Sequence, residues 1–138
     1  MPVVLVGSLL NARACAAAAL ELAGGLDLGV GIVCAGQQGR VALDDAVAAG
    51  VIVARLVELA QEGGVGCALS DAAQAARALV TAYPDPLVPL RASWSGRLLH
   101  ALGADEDVEW CARLDASRSV PVLRSGPTMR IEGLQAPR

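Results

Sequence analysis

The chain of 138 residues contains no phenylalanine and no lysine, a single histidine and a single tyrosine. Without phenylalanine, and with 27 alanines, the core has to come from close backbone packing among Val, Leu and Ile, with two tryptophans adding bulk. All eleven basic residues are arginine, and the net charge of −3 leaves no basic footprint, which argues against nucleic acid as a partner. The four cysteines, Cys15, Cys34, Cys67 and Cys111, are widely spaced and include no Cys-x-x-Cys. With only His100 to join them, the spacing argues against a zinc site, and free thiols buried in a reducing compartment are expected. No apolar run approaches the roughly 18 residues that a membrane span needs. The N-terminal run lacks the positive start of an export signal, so a soluble, cytoplasmic protein without a membrane partner is expected.

What is present is an alternation of apolar β-branched runs with alanine-rich helical stretches. Val3–Ser8 and Val30–Cys34 read as buried strands, separated by a helix that Asn11 can cap and Gly24-Gly25 can end. That order is a βαβ unit, so the two strands are expected to be adjacent and parallel with a right-handed crossover. The helix from about Asp45 to Glu62 is apolar on nearly every side, with Arg55, Glu58 and Glu62 forming one narrow polar stripe, and it should be sandwiched between other elements. Gly50 inside it costs roughly 1 kcal/mol against alanine, which implies a very close neighbour. Gly63-Gly64 stops this helix, and Ser70 caps the next, which runs to about Ala82. Pro84, Pro86 and Pro89 suggest a rigid connector. A short helix then ends at Gly103, and Asp105, Glu106 and Asp107 open another, where acids complement the helix dipole. Val120–Leu123 is a third strand, and residues 124–138 read as a loosely held tail behind a single domain over 1–123. The fold class is therefore α/β: a layered α/β/α arrangement with a small, mainly parallel sheet.

The most informative stretch runs from Val30 to Gly50. A strand enters a glycine-bounded loop carrying one arginine, Arg40, and the loop ends in Asp44-Asp45 at the mouth of an apolar helix. A cation, two acids and close-approach glycines at the end of a strand are the parts of an anion site or a metal–anion site. Because acids alone would repel a phosphate, the combination suits a phosphate bridged by Mg²⁺. Each part also has a plainer reading. Asp44 and Asp45 would serve as an N-cap and a first-turn acid, Arg40 as a loop cation paired with Asp44, and Gly36 and Gly39 as backbone necessities. Cys34 ends a hydrophobic strand and reads as core or as site lining rather than as a nucleophile, since nothing nearby would lower its pKa. Arg97, after Ser95-Gly96 at a helix start, would hold an anion or form a surface ion pair. Asp107 and Cys111, at i and i+4, read as a buried contact, and His100 as a packed or half-exposed histidine. No Gly-x-Gly-x-x-Gly follows a strand, which leaves a dinucleotide site without support.

Cys34-Ala35-Gly36, Gly39, Asp44-Asp45 and Gly50 resemble the second half of the 2-phosphosulfolactate phosphatase family. Gly7-Ser8, Asn11, Ser70-Asp71-Ala72, Ala75, Gly96-Arg97, Leu99, Gly103, Asp107, Cys111, Asp115 and Val120-Pro121 follow in the family's order. The resemblance extends to about Leu123 and departs at Gln37, where the family has threonine, and at Asp44, where it has glutamate. It implies a Mg²⁺-dependent hydrolysis of the phosphate monoester of a sulfonated lactate, on the route to coenzyme M, or of a similar small phosphorylated acid. Asp45 and Asp44 would be the catalytic acids, with Asp45 on the metal, and Arg40, Gly36, Gly39, Cys34 and Arg97 would meet the substrate. Relative to the family the fold would be incomplete, since its N-terminal half is not spanned. The competing reading is a truncated, non-catalytic homologue, or a half-domain that self-associates or binds a partner chain. A homo-oligomer with weak or no activity by itself is expected, on the argument that three short strands cannot cover the helix at Ala46–Leu59.

Overall fold

The computed structural model describes residues 3–26, 28–124 and 129–134. Strand β1 (Val4–Leu5) leads through a 3₁₀ turn, Leu9–Asn11, into helix α1 (Ala12–Leu26). Helices α2 (Leu43–Glu62), α3 (Asp71–Ala82), α4 (Leu87–Ala92), α5 (Trp94–Ala101) and α6 (Asp105–Cys111) follow, and strands β2 (Pro121–Arg124) and β3 (Arg130–Gly133) close the order.

Helix α2 is the centre of the fold. It packs against α1, α3 and α4, and Val47, Ala49, Gly50, Val51, Ile52, Val53, Leu56 and Ala60 are all buried. It is therefore sandwiched, as its pattern requires. The apolar face expected to remain bare along Ala46–Leu59 is covered, because small residues let the neighbouring helices approach closely. Ala12 and Ala16 of α1 are fully buried against this core. At Gly50 a Cβ would run into the carbonyl oxygen of Ala76, so the α2–α3 crossing exists only with glycine there. Leu9, Leu90 and Val108 complete the core. Each such side chain contributes about 1.5–3 kcal/mol on burial.

Some helix ends follow the expected chemistry and others do not. Ser70 Oγ accepts from Ala73 N at 3.3 Å at the start of α3. Gly63 caps the end of α2, and Gly64 follows with φ of +71°. Helix α1 runs through Gly24-Gly25 rather than ending there. Of the prolines expected to form a rigid connector, Pro84 and Pro86 precede α4. Pro89 lies in the first turn of α4, where the missing N–H is not needed, and it is fully buried. Ser93 then caps α5, accepting from Gly96 N at 2.9 Å and donating to Leu90 O at 2.8 Å.

The sheet corrects the strand assignment. It has the order β1-β2-β3 and is antiparallel throughout, with Val4 opposite Leu123 and Leu123 opposite Ile131. The parallel pairing expected between Val3–Ser8 and Val30–Cys34 is absent: β1 pairs with β2, and residues 28–36 run without helix, strand, turn or bend. The α/β class holds, with a small sheet lying on α1 through Cys15, Ala18, Val120 and Leu5. Residues 130–133, expected to belong to a loose tail, form β3, while 125–128 and 135–138 lie outside the described residues.

Candidate functional site

The loop between Cys34 and α2 is a small, tightly specified device. Gln37 and Arg40 exchange both backbone hydrogen bonds at 2.9 Å, and the two central residues have positive φ, Gln38 +50° and Gly39 +75°. This is the two-residue turn that needs left-handed backbone at both positions, which explains Gly39. Gly36 has φ of +74°, and a Cβ on it would lie 2.8 Å from the Arg40 carbonyl oxygen, so no other residue fits.

Asp44 and Asp45 occupy the first turn of α2, and the N-cap is Ala42, which offers no side-chain bond. Neither acid is therefore the cap itself, although both sit where the helix dipole favours negative charge. They have different duties. Asp45 Oδ2 accepts from Gly36 N at 2.6 Å and so ties the loop to the helix. Asp44 Oδ1 is buried and, among the described residues, has no hydrogen-bond partner. An unpaired carboxylate oxygen held out of water is costly unless something else satisfies it. Arg40 is exposed and makes no ion pair with Asp44.

Cys34 is exposed, not core, and its Sγ lies 3.7 Å from the Asp45 carbonyl oxygen. Partial burial, and secondly the Asp45 charge, push its pKa up, away from the thiolate that a nucleophile needs. Of the other thiols, Cys15 is buried, with its pKa raised by desolvation, while Cys67 and Cys111 are exposed. The buried contact expected between Asp107 and Cys111 is absent, since both are exposed. Their helix buries Val108 instead.

The structure thus gathers Cys34, Gly36, Gly39 and Arg40 on one loop, with Asp44 and Asp45 in the helical turn it leads into. Arg97 stands apart on α5, which packs on α4 and α6, and its Nη1 donates to the Ala92 carbonyl. His100 is exposed and pairs with Asp105 at 2.9 Å. An open depression lined by Leu69, Gln74, Arg77 and Thr81 contains none of these residues. The chemistry points to the loop rather than to that hollow.

Two residues named in the sequence have structural roles that pattern reading did not give. Asn11 is buried and fully bonded: its Oδ1 accepts from Ser8 N at 2.8 Å, and its Nδ2 donates to Val6 O at 3.0 Å and Ser119 O at 2.9 Å. It clamps the exit of β1 to the approach to β2 and is not a cap for α1. Asp115, with φ of +52°, accepts from Arg13 N at 2.7 Å and from Arg55 Nε at 3.0 Å. It caps α1 and pins α2 from a distant loop. Its bonds, and above all that of Glu58 at 2.9 Å, hold the Arg55 guanidinium firmly in its charged form.

Residues 1–126 match the family model for 2-phosphosulpholactate phosphatase. The chain belongs to this family. It is 42% identical over 121 residues to a "Probable 2-phosphosulfolactate phosphatase" of Thermus thermophilus, covering 88% of this chain and 48% of that protein. The protein of the same name in Deinococcus radiodurans is 39% identical over 123 residues, covering 89% of this chain and 48% of the relative. A "2-phosphosulfolactate phosphatase" of Methanothermobacter thermautotrophicus is 35% identical over 125 residues, covering 88% and 48%. The chain spans about half the length of the curated relatives it matches. Among the described residues no helix is long and apolar enough to cross a membrane.

Proposed function

We propose that this family member supplies the phosphate-holding loop of a Mg²⁺-dependent phosphatase acting on 2-phosphosulfolactate or a similar small phosphorylated acid. The observation that carries this reading is the division of labour between the two acids. Asp45 is committed to the loop through Gly36 N, and Asp44 keeps a buried, unpartnered oxygen at the start of α2.

A hard cation needs oxygen ligands, and Mg²⁺ is typically held by one or two carboxylates, with water and substrate phosphate completing the shell. Asp44 fits that demand better than Asp45, whose remaining oxygen is the second candidate. No group of three or more His, Cys, Asp and Glu side chains that could hold a metal occurs among the described residues, so the protein's share would be this pair. When bound, Mg²⁺ would neutralise charge on the transferring phosphoryl group. Arg40 is free to place its planar fork on phosphate or sulfonate oxygens, and Arg97 is a second candidate for the same task. Gly36 and Gly39 let the backbone come close, and Cys34, kept protonated, lines the site. In the reaction a water oxygen forms the new bond to phosphorus, the ester P–O bond breaks, and the alcohol leaves with a proton.

The test is phosphate release from 2-phosphosulfolactate with Mg²⁺, with chelator, and in Asp44→Asn and Asp45→Asn. The expected result is loss of turnover by at least about 100-fold with chelator and in Asp44→Asn, with helical content retained. Unchanged turnover in both variants would leave the acids as dipole partners only. A second reading, a half-domain that needs a partner chain, is favoured by the exposed apolar residues Leu28, Val33 and Val65. It predicts no turnover until the rest of the family's length is supplied.

A further inference from the structure

Two segments of this fold have the composition of interior strands and the surroundings of an open edge. Leu28-Gly-Val-Gly-Ile-Val-Cys34 and Val65-Gly-Cys-Ala-Leu69 carry no charge and are rich in Val, Ile and Leu. Both run without helix, turn or bend. Among the described residues, no backbone–backbone hydrogen bond is made by residues 29–35 or 66–69. Leu28 is 61% exposed, Val33 94% and Val65 62%.

The two segments occupy equivalent places. Each leaves a helix by one bond back to it, Leu28 N to Ala23 O at 3.0 Å and Val65 N to Ala60 O at 2.8 Å. Each then leads into the next helix, α2 or α3. Because α2 packs against both α1 and α3, the helices that bound the two segments form one layer. Water can satisfy the free amides, but it cannot offset the exposure of this much apolar surface. Uncharged, unpaired edges of this kind are what a protein otherwise blunts with lysine, proline or a covering element.

We propose that residues 28–34 and 65–69 are strands of a sheet whose other strands come from polypeptide of the half of the family length that this chain does not span. The occupant is argued from length. The Thermus and Deinococcus relatives are each covered only to 48%, so they carry as much sequence again. Within the described residues β1, β2 and β3 pair with one another and with neither segment. A second copy would offer these same segments and the outer edges of β1 and β3, and the concentration series below separates that occupant from the family's other half. Main-chain hydrogen bonds would supply the pairing, and Val33 and Val65 would bury against the added strands. The first segment ends at Cys34, two residues before Gly36, so the added strands would lie beside the Asp44–Asp45 loop. The inference rests on the backbone and not on the catalytic reading.

The experiment is amide hydrogen exchange on two proteins: this chain alone over a concentration series, and a chimera in which it replaces the matched residues of the Thermus relative. Exchange at 29–34 and 66–69 should be fast and independent of concentration in the chain alone, and about 100-fold slower or more in the chimera. Ile32→Pro in the chimera should restore fast exchange around residue 32, because it removes a ladder N–H. Fast exchange in a chimera that unfolds cooperatively would overturn the proposal. So would protection that grows with concentration in the chain alone, which would make the occupant a second copy. Should the chimera not fold, the unaltered Thermus protein decides the matter at the aligned residues: slow exchange supports the proposal and fast exchange refutes it. Phosphatase activity plays no part in the readout.

Discussion

Helix α2 and the segment that feeds it, residues 28–34, are built from the same residue types and end in opposite situations. In α2 eight residues are buried, and Glu58, Gln61 and Glu62 are its only exposed positions. In 28–34 the valines and the isoleucine face solvent. The difference is not hydrophobicity but the supply of partners. A helix satisfies its own backbone and needs only surfaces to pack on, which α1, α3 and α4 provide. A strand needs another strand's N–H and C=O groups, and among the described residues none reaches this segment. An apolar pattern states that a segment is to be covered, and leaves open by what.

The sharpest way to break this comparison is at Gly50. Gly50→Ala drives a Cβ into the Ala76 carbonyl, where backbone must move, and should cost about 3 kcal/mol. Gly25→Ala in α1, where a Cβ meets nothing within 4 Å, should instead gain about 0.5–1 kcal/mol. Urea unfolding of the two variants checks both signs. Asn11→Ala comes next, leaving several buried polar groups without partners, and should cost about 2–3 kcal/mol in the same assay.

Smaller effects belong to the exposed region. Ile32→Ser should change the stability of the chain alone by less than about 0.5 kcal/mol, because its side chain is not in a filled core. A loss of more than about 2 kcal/mol would mean that the segment is buried in solution. At Cys34, Asp45→Asn removes a negative charge that raises the thiol pKa. The thiolate fraction at fixed pH should therefore rise, and alkylation of Cys34 by iodoacetamide should speed up several-fold. For Cys15, burial raises the folded-state pKa, so the folded protein prefers the neutral thiol. Its stabilising contribution is full at neutral pH and is lost as pH rises through the thiol range. Cys15→Ala should flatten the fall in stability on the alkaline side.

Much of the helical layer was legible in the chain itself. Ser70, Gly63 and the long apolar run marked the ends of α2 and α3, and Gly50 announced its close neighbour, because each signal acts within a few residues. The glycine loop was legible for the same reason: positive φ at Gly36 and Gly39 is a local demand. The sheet was not. Val4 pairs with Leu123, and nothing in either segment states the direction of that pairing. The Arg13–Asp115 and Arg55–Asp115 bonds span 102 and 60 residues, and a carboxylate in a loop carries no mark of such partners. Between the two acids, the family resemblance favoured Asp45 for the metal. Only the geometry shows that Asp45 is already bound to Gly36 N while Asp44 is left unpaired.

The proposed metal role rests on that last distinction, and paramagnetic Mn²⁺, which takes the same oxygen ligands as Mg²⁺, tests it on the chain as it is. Titrated into the isotopically labelled protein, Mn²⁺ should broaden the amides of residues 36–45 first, and that broadening should vanish in Asp44→Asn while the remaining spectrum is unchanged. Broadening centred on Glu58 and Glu62 or on residues 105–107, or broadening at 36–45 that survives Asp44→Asn, would contradict the assignment.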